Sequence, residues 1–308
     1  MRIQKTVTPV DIGQAHAFAV RATEDAGALL REGVGGDLGL RVKDPSGDLV
    51  SDLDLAAEAL IVERIRAAYP EHRILAEESG LHEAGDGAFV WLVDPLDGTN
   101  NVAIGLRAYV VGVALCAGQR PVLGVVHDPV SGETYSAIRG RGAHGPDGAT
   151  LRVPYRPAGH GLVLAWTQGH DVAKDDPNAR ALKLTLESGA RRMLQLWTPL
   201  LSWIMVARGH VDGFVGYRPE GVDLPAGYLI AREAGIAVRG LDGSPFEDSI
   251  QASPEHRGFV AGRAEVLPRL LDLVAGARQV RVEGLPVSAT PATPPHSPLG
   301  PLWPAPLR

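Results

Sequence analysis

The chain has 308 residues, with 30 lysines and arginines against 36 aspartates and glutamates, a formal net charge of −6 at pH 7. That balance argues against a nucleic-acid binder or a protein held on anionic membranes, both of which carry a basic excess or stripe. With 45% hydrophobic and 21% charged residues the composition is that of a globular protein, and a chain of this length buries roughly three-quarters of its unfolded surface without disulfides or a structural metal. Its one cysteine, Cys116, excludes an internal disulfide and any zinc site built on paired cysteines. Residues 1–10 lack the apolar run of a signal peptide and no stretch approaches the ~20 apolar residues of a membrane span, so a cytoplasmic location is expected.

Residues 11–32 read as a helix, with Ala, Leu and Val recurring every three or four positions and Gly33, Gly35 and Gly36 closing it. A second helix is predicted after Asp52 or Asp54, whose carboxylates can cap it, with Ala57, Leu60, Ile61, Ile65 and Ala68 on one face and Pro70 as its stop. Ile74, Leu75 and Ala76 look like a strand, and residues 89–93 form a continuous apolar run, the pattern of a fully buried strand. Three further strands, 109–115, 122–127 and 133–137, are separated by turn chemistry and predict an antiparallel meander. The Gly- and Pro-rich residues 140–161 read as a passage between two halves. Beyond it come strands near 162–166, 211–217 and 258–261, alternating with helices near 200–208, 223–234 and 264–274. The expected organisation is an α+β half over residues 1–150, an α/β half over 151–280, and a disordered tail over 285–308, where eight of the 24 prolines fall from Pro286 onward.

The chemistry concentrates where the 89–93 strand ends, in Asp94-Pro95-Leu96-Asp97-Gly98-Thr99-Asn100-Asn101. Two carboxylates three residues apart, stiffened by a proline, can converge on a hard divalent cation, with the Leu96 carbonyl as a further oxygen ligand. Gly98 has no side chain to block close approach, so its N–H and those after it can face an anion if a helix begins there. Asp-Pro and Asp-Gly pairs alone are common in surface turns; the full octet after a buried strand outweighs that reading. Glu77-Glu78, taken alone, reads as a solvated pair, and Asp223 with Pro225 reads as a helix cap.

In combination, these pieces resemble the inositol monophosphatase family, within the lithium-sensitive, magnesium-dependent phosphomonoesterases. The family pattern of Asp, Glu-Glu, Asp-Pro-Ile/Leu-Asp-Gly-Thr and Trp-Asp with a trailing Ala-Gly is matched in order by Asp54, Glu77-Glu78, residues 94–99, and Asp223 with Ala226-Gly227. The resemblance covers roughly residues 12 to 275 and implies a layered αβαβα sugar-phosphatase fold. It implies two or three Mg²⁺ per site: one on Glu77, Asp94 and the Leu96 carbonyl, a second on Asp94, Asp97 and Asp223, and a weaker third on Glu77 and waters. Thr99, paired with Asp54, would position and help deprotonate a water on the metal, and Lys43 would add a positive charge. Hydrolysis of a small phosphorylated substrate, a homodimer and inhibition by lithium complete the expectation.

The substrate side departs from the family. Val222 stands where Trp precedes the metal Asp, and Trp197-Thr198-Pro199 replaces Gly-Ser-Ala at the start of a helix lining the pocket, so Trp197 and Thr198 are expected to contact the substrate alongside Gly98, Thr99, Asp97 and Lys43. Gly216 takes the place of a Glu that reads inositol hydroxyls, with Glu220 as a possible substitute from the same loop. Trp197 could stack on a sugar face or a base, but a lone Trp is more often core. A cyclitol or sugar monophosphate is the expected substrate, with a nucleoside 3′,5′-bisphosphate or histidinol phosphate as alternatives. The two residues between Asp94 and Asp97 disfavour the Asp-x-Asp spacing of the haloacid-dehalogenase phosphatases, which form a phosphoaspartate. Asp48, Asp52 and Asp54 miss the EF-hand spacing. A pseudoenzyme that only binds phosphorylated ligands is opposed by the complete ligand set and Thr99.

Overall fold

The structure, a computed structural model, describes residues 10–43, 47–84, 88–155 and 161–282; the proline-rich segment 285–308 lies outside them. Helix α1 (Ile12–Gly33) starts where the Asp11 carboxylate accepts the Gly13 and Gln14 N–H groups at 2.8 and 3.1 Å, and it buries Ala15, Ala19, Ala22, Ala26 and Leu30 along one stripe. Strands β1 (Arg41–Val42) and β2 (Leu49–Val50) form a small hairpin of their own. Helix α2 (Asp52–Ala68) follows, and Ser51 is its cap rather than Asp52 or Asp54. Asp54 is the third residue of a capping box, and its carboxylate accepts the Ser51 N–H at 2.8 Å.

Next come β3 (Arg73–Ala76), β4 (Gly80–His82), β5 (Phe89–Asp97), the short α3 (Thr99–Ala103), then β6 (Val110–Ala117), β7 (Arg120–Asp128) and β8 (Glu133–Ile138) as the expected meander. Strands β9 (Ala143–His144) and β10 (Thr150–Leu151) extend the same sheet, so the stretch expected as a bare passage supplies its edge. The eight strands run β10-β9-β8-β7-β6-β5-β3-β4, with β3 and β5 parallel and the rest antiparallel. The chain then gives β11 (Val163–Gln168), α4 (Pro177–Gly189), β12 (Arg192–Leu194), α5 (Pro199–Ala207), β13 (Gly213–Tyr217), α6 (Pro225–Glu233), β14 (Ala237–Gly240), β15 (Phe259–Gly262) and α7 (Leu267–Ala277). Its five strands are ordered β12-β11-β13-β15-β14, parallel on the β11 side and antiparallel around β15.

Alternation along the strands assigns the layers. Trp91, Val93, Val111, Val113 and Leu115 face α1 and α2, while Val90, Leu92, Val110 and Ala114 face α5 and α6. On the second sheet Phe214, Phe259 and Ala261 look into that same middle layer, whereas Leu164, Trp166, Val215 and Val260 pack on α4 and α7. The result is an αβαβα stack whose middle helices are shared by both sheets. Trp203 of α5 anchors this layer, stacked on Phe259 at 4.5 Å and edge-on to Phe214 at 5.1 Å.

Strand β5 breaks its pairing once. Asp94 lies opposite Gly112 and Asp97 opposite Val110, so one extra residue is inserted on the β5 side. Pro95, which has no N–H to give a central strand, falls inside this bulge.

Contacts to glycine fix the height of α6 over the first sheet. A Cβ on Gly124 of β7 would meet the Ala226 carbonyl oxygen at 2.8 Å and its Cα at 2.9 Å, and one on Gly227 would meet Trp203 Cβ at 2.6 Å. The Ala-Gly pair after Asp223 is therefore a packing requirement that seats the helix next to Asp223. Because backbone cannot turn aside as a side chain does, Gly124→Ala should lower the unfolding free energy by about 1–3 kcal/mol. Urea denaturation checks this, and an unchanged midpoint would show that α6 rides freely on the sheet.

Candidate active site

The predicted acidic residues meet where β3 and β5 end. Glu77 follows β3 and donates its N–H to the Val93 carbonyl at 3.0 Å, which brings it beside Asp94. Asp94 and Asp97 are 3% and 6% exposed, and Asp97 accepts the Leu200 N–H at 2.7 Å from the first turn of α5. One oxygen of Asp94, Oδ1, is buried without a hydrogen-bond partner. Asp223 stands two residues before α6 and does not cap it, so the capping role expected of it falls away and its carboxylate stays available. Gly98 adopts a left-handed φ of 117°, where a Cβ would come within 2.7 Å of the Ala108 carbonyl oxygen. This turn starts α3, whose first residue is Thr99.

Thr99 donates its hydroxyl to Asp54 Oδ1 at 2.6 Å, with a longer 3.2 Å approach to the Leu96 carbonyl. The Ser51 N–H and hydroxyl hold the other oxygen of Asp54, so the carboxylate is fixed from both sides. Lys43 reaches in from the β1–β2 hairpin and places Nζ 2.9 Å from both Glu77 Oε1 and Glu78 Oε1.

Trp197 is not core: it is 49% exposed. Its neighbour Thr198 turns inward, fully buried, and spends its hydroxyl on the Ala108 carbonyl at 2.9 Å and on the Asn101 side chain. Glu220 accepts the His170 N–H at 3.2 Å. A Cβ on Gly216 would strike the Phe259 ring, 2.7 Å from Cζ, so the core has closed over the place where the family's Glu would start. Val222 packs against the central core cluster, as a replacement for Trp should.

Other residues at the site carried no signal in the sequence. Glu58 of α2, 4% exposed, accepts the N–H groups of Glu78 and Ser79 at 2.7 and 2.9 Å and so fixes the turn that presents Glu77. Asp48, at the foot of β2, accepts from Asn100 at 2.8 Å and pairs with His170 at 3.2 Å.

Residues 11–279 match the inositol monophosphatase family. The chain belongs to that family. Among proteins of similar sequence is Nus factor SuhB of Pasteurella multocida, 35% identical over 228 residues, which covers 73% of this chain and 85% of that protein. Among solved structures, the extragenic suppressor protein suhB of Bartonella henselae aligns with a TM-score of 0.76 at 28% identity, over 85% of this chain and 98% of the other. The inositol monophosphatase of Anabaena (Nostoc) sp. PCC 7120 aligns with a TM-score of 0.74 at 25% identity, over 87% and 97%. The αβαβα stack is thus the fold of the family's known structures.

Membership in this family implies divalent magnesium, and the donor chemistry of the residues suits it. Oxygen donors only, an orphaned buried Asp94 oxygen and a backbone carbonyl in the same bulge match a hard cation. Among the described residues no three His, Cys, Asp or Glu side chains already stand as a closed cage; Glu77 instead faces the Lys43 ammonium. The donor set fits, with Glu77 shared between Lys43 on one side and the buried Asp94 on the other.

Electrostatics report the same demand for positive charge. Burial, then the neighbouring Glu77, Asp97 and Asp223 charges, hold the Asp94 carboxyl well above its ordinary range. Burial and Asp223 do the same to Asp97, against the opposing pull of the α5 N–H groups. Asp223 is pushed up to about 8 by burial and Glu77, and Glu78 to about 7 by burial and Glu77. Burial alone would lower Lys43, but Glu77 and Glu78 hold it above the usual lysine range. Asp54 is raised by burial, partly offset by the Ser51 and Thr99 hydrogen bonds.

A raised carboxyl binds its proton more tightly folded than unfolded. The metal-free protein should therefore lose stability as pH rises from the ordinary value near 3.8 through about 8, where Asp223 ionises. Asp94→Asn removes one of the repelling charges. In chelator at pH 8 it should melt a few degrees higher than wild type, with a smaller gain at pH 5, while losing its response to added Mg²⁺. Melting curves at the two pH values decide the point: no gain at pH 8 would mean that the acids do not destabilise one another.

Proposed function

We propose that this protein is a Mg²⁺-dependent phosphatase that hydrolyses a small phosphate monoester, most simply a cyclitol or sugar monophosphate. The observation that carries this reading is the pairing of Thr99 with a doubly fixed Asp54 beside a cluster of buried carboxylates. Glu77, Asp94, the Leu96 carbonyl, Asp97 and Asp223 would hold two or three metal ions. Bound there, divalent cations neutralise phosphate charge and lower the pKa of a water.

The chain's own residues do the rest. Asp54 takes the Thr99 proton in a hydrogen bond, which turns the Thr99 oxygen lone pairs outward to accept from the attacking water. A carboxyl raised by burial is a better final proton acceptor than an ordinary one, since its affinity is nearer working pH. Gly98 lets the phosphate approach the backbone of the turn. Lys43, held beside Glu77 and Glu78, would add a positive charge at the edge of the site. Trp197 offers an exposed ring to the leaving group, and Glu220 a carboxylate. A homodimer, sensitivity to lithium and a cytoplasmic location belong to the same reading, as does a division into halves 1–150 and 151–280 that meet at the site.

A phosphate-release screen with Mg²⁺ across inositol, sugar, nucleotide and histidinol phosphates tests the activity and ranks the leaving groups. Release from a nucleoside bisphosphate or histidinol phosphate alone would replace the cyclitol assignment, and no release from any would overturn the enzyme. On the best substrate, Thr99→Ala should lower kcat by about 10²–10⁴-fold with Mg²⁺ affinity preserved. An unchanged kcat would reduce Thr99 to the opening residue of α3.

A further inference from the structure

The β1–β2 hairpin stands outside both large sheets and has almost no core of its own. Val42 is 67% exposed and Leu40, just before it, 41%. Its Arg41–Asp52 ion pair at 2.8 Å joins two side chains that are 50% and 65% exposed, a type of contact that contributes little. A segment with so few apolar contacts would open at low cost, yet it carries Lys43 to Glu77. Something polar must hold it.

Asp48 occupies the place where that hold can be made. Its side chain is 9% exposed, and it touches three separate elements. Its backbone carbonyl accepts the Lys43 N–H at 2.7 Å across the hairpin. Oδ1 accepts from Asn100 at 2.8 Å, in the first turn of α3 and next to Thr99. Oδ2 lies 3.2 Å from His170 Nδ1, in the loop that follows β11 in the second half of the chain. His170 is in turn fixed through its N–H to Glu220, three residues before Asp223.

We propose that Asp48 is a positioning residue, clasping the hairpin between Asn100 and His170 so that Lys43 is delivered to Glu77 and the two sides of the site are tied across its mouth. Neither Asp48 nor His170 belongs to the acidic ligand set. The hydrogen bond to Asp48 raises His170 to about 9, so at neutral pH the tie is a charged one. The same carboxylate that holds the hairpin also holds Asn100, which links hairpin position to the turn carrying Thr99. The catalytic half of this inference rests on the phosphatase reading above; the clasp itself does not.

The test is a double-mutant cycle on the full chain with two independent readouts. Asp48→Ala and His170→Ala should each speed amide hydrogen exchange at Lys43, Leu49 and Val50 by about tenfold or more, leaving the five-stranded sheet unchanged. The double variant should be no faster than Asp48→Ala alone, because that single variant already removes the tie to His170 along with the one to Asn100. Both singles should also lower kcat/KM for the best phosphate ester, and His170→Gln, which keeps a donor for Asp48, should recover part of each loss. Should Asp48→Ala fail to fold, the partly exposed His170→Ala carries the test. Wild-type exchange in the hairpin of His170→Ala, or fully additive effects in the double variant, would overturn the clasp. If the wild type releases no phosphate from any ester, the function falls, while the exchange data still decide whether Asp48 ties the hairpin down.

Discussion

Asp94 and Asp97 lie three positions apart on one strand, an odd offset, and regular pleating would send their side chains to opposite faces. The bulge at Pro95 resets the phase. Gly112 and Val110, their partners on β6, share a face, so the two carboxylates share it as well. Leu96 is left pointing the other way, into the core beneath α1 and α2, with its carbonyl in the bulge. Everything else at the site depends on this phase shift. It puts two acids into the middle layer, where the starts of α5 and α6 arrive, and there burial makes their charges costly.

That cost explains the surroundings. α5 points the N–H groups of its first turn at Asp97, a dipole that favours the ionised form but does not cancel the burial of several carboxylates together. Lys43 is a second source of positive charge, beside His170 on the Asp223 side, and it is supplied by the least anchored piece of the fold. The rigid parts of the molecule thus hold negative charge, while the loosely held part brings the ammonium. On the metal-site reading proposed above, a divalent cation and Lys43 would both draw on the Glu77 charge, which would couple metal loading to hairpin position.

Much of this was legible in the sequence, because the signals are local. The apolar run 89–93 marks a buried strand, the octet after it marks a turn with paired acids, and Pro70 and Pro225 mark helix ends. What could not be read depends on distant partners. The bulge needs β6 as a reference, and the Asp48–His170 pair joins residues with no motif around either. Ser51, not Asp54, caps α2, yet both belong to one capping box whose spacing was readable. Helix α4 went unrecognised although Asp176 and Pro177 are a proper start signal; its buried Ala179, Leu182 and Leu186 are interleaved with Arg180, Lys183 and Glu187, so the apolar stripe is thin. Trp197 defeated the expectation that a lone tryptophan is buried, because Thr198 took the inward position beside it.

The substrate side obeys a different logic from the acidic centre. Residues 94–99 keep the family's pattern, and in this fold they are constrained by the bulge and by the burial of their two carboxylates. Gly216 is constrained by Phe259, whose ring fills the space a longer side chain would need, and Phe259 is itself stacked on Trp203 in the middle layer. Restoring a glutamate there would mean rebuilding the aromatic core rather than editing a surface loop. On the phosphatase reading proposed above, recognition of the leaving group would fall to the exposed Trp197 ring and the loop that carries Glu220. An aromatic face and one carboxylate select for shape and apolar surface more than for a ring of hydroxyls. For that reason the leaving groups compared in a phosphate-release screen should include flat, partly apolar ones beside the cyclitols.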